Sequence, residues 1–169
     1  MKKLLLAAVA LMFTATACPV DPPATTNFAA CPTAGPGQIQ VAVVVEGISN
    51  PAHQVVCVVV ADGANGLAAL DARSARLGTT ARRMDPSNGL LCAIDATPAT
   101  GCGESGPDGF SFWNYSFGGA SWESANIGPA SQVLHQGSVE GYEYGTWNFT
   151  TTFPGPLDHS PSFSVLTGS

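Results

Sequence analysis

The sequence predicts an α+β domain: a mixed β-sheet of about six strands packed on one helix and held by two disulfides. Three observations carry that expectation. Two β-branched runs, IQVAVVVEG (39–47) and VVCVVVAD (55–62), flank a short polar turn. One segment between them and the next apolar stretch has helical spacing. Four cysteines, Cys31, Cys57, Cys92 and Cys102, follow a leader in a chain with 19 glycines, 13 prolines and only 11% charged residues. Such a composition describes a turn-rich, β-rich extracellular domain, and its apolar content is too high for disorder.

In chain order, the N-terminus reads MKKLLLAAVALMFTATAC. Lys2 and Lys3 form a positive start, Leu4 to Phe13 an apolar run, and Ala15, Thr16 and Ala17 a small-residue stretch before Cys18. That build predicts a signal peptide over 1–17, too short to span a bilayer as a helix. Two processing readings stay open. The small residues at 15 and 17 suit an ordinary signal peptidase, which would leave Cys18 as an unpaired thiol. Small residues directly before a cysteine also resemble a bacterial lipobox, with Ala15 where Leu is usual. We favour this second reading, in which Cys18 carries a lipid. Residues 18–37, rich in Pro, Ala and Thr, then form a tether.

The folded domain is expected over 38–150. The runs at 39–47 and 55–62 are strands, and Asn50-Pro51-Ala52-His53 turns the chain between them into a hairpin. GANGLAALDARSARLG (63–78) places Leu67, Leu70, Ser74 and Leu77 at helical spacing, with Asp62 or Asn65 as N-cap and Gly78 beyond its end. TTARRMDPSNG is loop, and GLLCAID is a short third strand. FSFWNYSF (110–117) puts Phe110 and Phe112 on one face of a strand and Trp113, Tyr115 and Phe117 on the other. Gly118-Gly119 then turns the chain into a return strand carrying Trp122. SVEGYEYG (138–145) offers Tyr142 and Tyr144 on one face. Alternation at Trp147, Phe149 and Thr151 suggests one more strand before a loose tail at 151–169. Six or seven strands with one helix after a hairpin make a β-grasp-like arrangement.

The cysteines are read as staples. Outside the cytosol thiols oxidise, and four cysteines allow three pairings. Cys92 and Cys102 bracket a turn containing Pro98 and Gly101, which can bring them within bridging reach. Cys31 and Cys57 would pin the chain's entry to the sheet. The expected pairs are therefore 31–57 and 92–102. No closely spaced Cys or His pair favours zinc, since His53, His135 and His159 are scattered; no metal and no cofactor is expected.

Charge narrows the partners. Once the leader is removed, four arginines face twelve acidic residues, a net charge of −8. Nucleic acid and an anionic membrane surface are poor partners for such a chain, and any membrane contact would run through the lipid on Cys18. The sequence lacks a G-x-S-x-G elbow, an H-E-x-x-H pair and a phosphate loop, so no catalytic residue is named.

Specific residues resemble a known family. The order strand, hairpin partner, helix with Ala69-Leu70-Asp71-Ala72-Arg73, then Leu90-Leu91-Cys92-Ala93-Ile94-Asp95, the segment Phe112 to Trp122 and Gly137 to Gly145 is similar to the transcobalamin C-terminal-like domain. Leu90 to Glu104, Phe112 to Trp122, Gly128-Pro129 and Gly137 to Gly145 also resemble a group of small secreted actinobacterial proteins, in which the two segments stand in the opposite chain order. The resemblance covers roughly 39–145. Phe112-Trp113 replaces a typical Tyr-Trp, and Ile94-Asp95-Ala96 replaces Ile-Asp-Gly. The family holds cobalamin between this domain and a large helical barrel. Only the domain is matched here, so the resemblance implies ligand binding without naming the ligand, and a corrinoid is a guess.

The candidate ligand-binding residues are Trp122, Glu140, Tyr142 and Tyr144. Aromatic rings there would form a stacking platform for a flat ligand or a sugar. The competing reading is that they fill the core, with Trp113 and Trp122 as cross-strand partners and Tyr142 or Tyr144 exposed. Glu140 and Glu143 would orient a ligand or simply be solvated. Asp95 would hydrogen-bond the stapled turn. The four arginines would bind an anion or, more simply, complement a helix end. The expected function is a non-catalytic, surface-anchored module binding an unknown small ligand. The alternative is a structural or protein-interaction domain of the envelope, adhesion- or inhibitor-like, whose partner is a cell-surface protein.

Overall fold

The computed structural model describes residues 26–148 and 156–169. The leader, Cys18 and the first part of the tether lie outside the described residues. β1 (Gln38–Glu46) and β2 (Val55–Ala61) form the expected hairpin, antiparallel from Gln38 opposite Ala61 to Val44 opposite Val55. The Asn50 side chain accepts from Ala52 N at 3.1 Å, and Pro51 starts the single 3-10 turn that joins the strands.

Helix α1 (Gly66–Leu77) takes Asn65 as its N-cap, whose side chain accepts from Ala68 N at 3.0 Å. Gly78, at φ 67°, ends it in the left-handed conformation that glycine adopts without a Cβ clash. β3 (Arg83–Met84) and β4 (Leu91–Ala93) form a small separate sheet. Then come β5 (Glu104–Gly106), β6 (Gly109–Phe117), β7 (Glu123–Ser124), β8 (Val139–Trp147) and a short helix α2 (Phe163–Thr167).

The main sheet has six strands, in the order β2-β1-β8-β6-β5 with β7 also on β6. Its mixed character comes from one pair: β1 and β8 run parallel, Ala42 opposite Val139, while the other pairs are antiparallel. β1 is thus a central strand covered on both faces, and Val41 to Val45 are wholly buried. That burial is why its sequence is a continuous β-branched run without polar alternation. Each such valine contributes ~1.5–3 kcal/mol relative to exposure.

The two faces have different covers. Val41, Val43 and Val45 join Val56, Val58, Ala69, Leu70, Trp113, Tyr115 and Tyr142 under α1. Ala42, Val44 and Val139 pack on the other face with Leu157, Trp122, Phe163 and Leu166. This second cover corrects the expectation of a loose tail. Residues 156–169 are docked: Leu157 is buried, and Glu46 accepts from Asp158 N and His159 N, both at 3.0 Å. A run of Pro, Ser and Gly has no periodicity to reveal such docking, since its anchors are single residues. The strand expected around Trp147 is the end of β8, and the rest of it lies outside the described residues.

Both disulfides have the expected pairing, with Cα atoms 4.8 Å apart for Cys31–Cys57 and 4.2 Å for Cys92–Cys102. The first ties the entering chain to the sheet edge, where Cys57 N also donates to Phe28 O at 2.9 Å. Among the described residues, no helix is long and apolar enough to cross a membrane.

Candidate functional site

Alternation along β8 places Glu140, Tyr142 and Tyr144 on the α1 face, opposite Phe117, Tyr115 and Trp113 of β6 respectively. The rings of Tyr142 and Tyr115 stack at 5.0 Å, and those of Tyr144 and Trp113 tilt at 5.3 Å. Tyr142 is 0% exposed, and its hydroxyl donates to Gly66 O at 3.3 Å. It is core, which corrects the expectation of exposure. Helix α1 lies over this face and its first turn closes it.

Glu140 is 1% exposed and lies at the start of α1, where the hydroxyl of Tyr115 donates to its carboxylate. Burial pushes the carboxyl up to about 7, with hydrogen bonds from Tyr115 and Tyr142 working in the opposite direction. Burial likewise raises Tyr115 and Tyr142. A Cβ on Gly66 would stand 2.7 Å from Glu140 Oε2, so the helix needs glycine there for the close approach.

Trp122 stands on the opposite face, against Gly141, and its indole N–H donates to His159 O at 2.8 Å. It is therefore neither a partner of Trp113 nor a neighbour of Tyr142. Glu143 shares this second face with Glu46, its partner in the parallel register. Its carboxyl is raised by burial and then by Glu46 and Asp158. The four candidate binding residues thus divide between two sides of a sheet, and three of them serve packing beneath α1.

The arginines are engaged. Arg73, wholly buried, pairs with Asp95 at 2.8 Å and donates to His53 O at 2.6 Å. Arg76 donates to the carbonyls of Cys57 and Ala30, Arg82 pairs with Asp71 at 3.0 Å, and Arg83 holds the carbonyls of Ala99 and Gly101 in the stapled turn. Asp95 also accepts from the Thr79 hydroxyl at 2.7 Å, so it joins the end of α1 to that turn. Ala96 sits at φ 59°, in the left-handed region that glycine adopts more readily than alanine.

An apolar concavity lies elsewhere. A pocket of about 430 Å³ opens along the outer edge of β6, bounded by the 89–91 loop, the Cys102–Gly103 turn and segment 125–130. Leu90, Phe110, Phe112, Trp113 and Ile127 are among the apolar side chains that line it. Among the described residues, no Asp, Glu, Lys, Arg or His lines it. The volume falls in the range of small-ligand sites, ~300–1,000 Å³. Leu90 and Ile127 are 58% and 46% exposed at its rim. Sequence reasoning missed them because Leu90 reads as strand and no periodicity marks Ile127. The available signal was a lone Ile inside Ala-Asn-Ile-Gly-Pro, a loop whose other residues have no apolar demand.

The groups that define the pocket carry neither a nucleophile beside a base nor a metal-ligand set; what they offer is contact area and backbone amides. No family model matches this chain, and no curated protein matches it. Among solved structures, haptocorrin in complex with Cbi matches with a TM-score of 0.51 and 18% identity, covering 65% of this chain and 25% of that one. The chain therefore spans a quarter of that protein's length. At that identity the likeness is one of fold, in keeping with the transcobalamin C-terminal-like architecture.

Proposed function

We propose that this chain is an exported, non-catalytic module that binds a small uncharged ligand at the cell surface, held there by a lipid on Cys18. The observation that carries the binding half is the uncharged aromatic pocket on the β6 edge, since ligand sites are concave, mostly apolar and furnished with few polar groups. Two disulfides support an oxidising compartment. The leader and tether support export and anchoring. Its motifs support kinship with the transcobalamin C-terminal-like domain and with the small secreted actinobacterial proteins. A corrinoid, suggested by that kinship and by the fold shared with haptocorrin, is the comparison compound.

Native mass spectrometry of the chain purified from its own host tests the proposal. A co-purifying small molecule that is lost in Ile127→Asp is the expected result. A molecule retained in that variant would move the site away from the pocket. The exposure of Leu90 and Ile127 favours one second reading, a protein-interaction domain of the envelope, and co-purification of a protein released by Ile127→Asp would select it.

A further inference from the structure

The pocket's floor is also a gap in the sheet edge. β5 pairs β6 only as far as Glu104 opposite Ser111, and β7 pairs it only from Ser124 opposite Ser116. Beyond β7, Ala125 N adds one bond, to Tyr115 O at 3.0 Å. In an antiparallel strand a residue's N–H and C=O point to the same side, and successive residues alternate. Tyr115 C=O points outward to Ala125, while Gly118 N points inward to Val139 O of β8. The odd-numbered residues of β6 therefore turn their backbone groups to the outer edge. Among the described residues, neither β5 nor β7 pairs Trp113, which lines the pocket; by that alternation its N–H and C=O face the uncovered edge, with the N–H of Tyr115 beside them.

The gap is short. From Ser111 to Tyr115 is four strand steps, about 13 Å at ~3.3 Å each. Its ends are closed by Cys102–Gly103, tied through Cys92 to β4, and by Ala125. A long added strand does not fit between those ends, but one residue in extended conformation does. Its N–H and C=O would meet the C=O and N–H of Trp113, while its side chain would lie against the apolar wall at Leu90 and Ile127.

We infer that the pocket recognises a neutral peptide-like unit: one extended residue flanked by two amides, with an apolar side chain. The inference rests on the pocket reading above and supplies its ligand class. An uncharged lining disfavours free amino and carboxylate termini, because a charge moved there leaves water without a partner. Two opposed backbone hydrogen bonds supply the affinity, as in β-strand addition, and the apolar wall supplies the preference for the side chain.

The test is a nuclear magnetic resonance titration of the whole chain, labelled at backbone amides and Leu and Ile methyls. One probe is N-acetyl-leucine N-methylamide. The other replaces the leucine N–H by an ester oxygen, which removes the donor to Trp113 C=O. The expected result is that the first probe moves the amide resonances of Trp113 and Tyr115 together with the methyls of Leu90 and Ile127, and binds at least tenfold more tightly than the ester. Equal binding of the two, or methyl shifts without Trp113 and Tyr115 amide shifts, would overturn the amide inference and leave the pocket reading standing. If neither probe moves those methyls, the inference falls, while the pocket reading is decided separately by the Ile127→Asp purification.

Discussion

Replacing Glu140 by Gln should stabilise the protein at neutral and alkaline pH and leave it little changed in acid. The carboxyl is buried between Tyr115 and Tyr142, and loss of hydration pushes it up to about 7 from the ordinary 4.5. Burial acts first, and the tyrosine hydrogen bonds only partly offset it. Between pH 4.5 and 7 the folded chain keeps a proton that the unfolded chain has released. Stability therefore falls as pH rises through that window. Below it both states are protonated and no penalty exists. Above it the penalty is complete, about 3 kcal/mol. Gln keeps the shape and drops the charge. The difference between variant and parent should run from near zero at about pH 4 to about 3 kcal/mol in the variant's favour at about pH 8. In a domain of this size that is a Tm gain of roughly 10 °C. Urea melts of both proteins across the pH series measure it, and their difference cancels groups that titrate alike in both. A variant less stable than its parent at alkaline pH would refute the reasoning. It would mean that the start of α1 and the tyrosine hydroxyls hold Glu140 ionised and stabilise it there.

Trp113→Ala and Tyr142→Ala should each lose ~3–5 kcal/mol, because both side chains are core and each leaves a cavity; thermal melts check it, and a Tyr142→Ala protein melting like its parent would restore the exposed platform. Removing the Cys92–Cys102 bridge should cost less than removing Cys31–Cys57, by about 0.8 kcal/mol on loop-closure entropy, since the loops span 10 and 26 residues; paired denaturant melts of the two double-serine variants give the order. Cys18→Ser should move the chain from the membrane fraction to the medium or periplasm, and an unchanged fractionation would exclude the lipid anchor.

Much of the fold was legible in the residues. The β-branched runs of β1 and β2, the Asn65 cap and Gly78 end of α1, and the even set of cysteines are local signals with one physical meaning each. Disulfide pairing was readable because the turn between Cys92 and Cys102 left little choice. The site was not readable in the same way. Alternation correctly put Tyr142 and Tyr144 on one face, but it carries no information about which face a helix will cover. The same alternation gave no warning that Trp122, placed after a glycine turn, would cross to the other side and rest on Gly141.

By itself the sequence determined the α+β class, the staples and the extended or helical state of the main elements, because propensity, periodicity and capping act over a few residues. Only the tertiary structure decided what those elements bury. The parallel pairing of β1 with β8 joins segments nearly a hundred residues apart, and it alone sets α1 over Glu140 and Tyr142 and docks 156–169 on the reverse face. The pocket arises in the same way. It exists because β5 pairs β6 only as far as Ser111 and β7 pairs it only from Ser116, and where a neighbouring strand ends is a property of the assembled sheet rather than of the strand that it leaves uncovered.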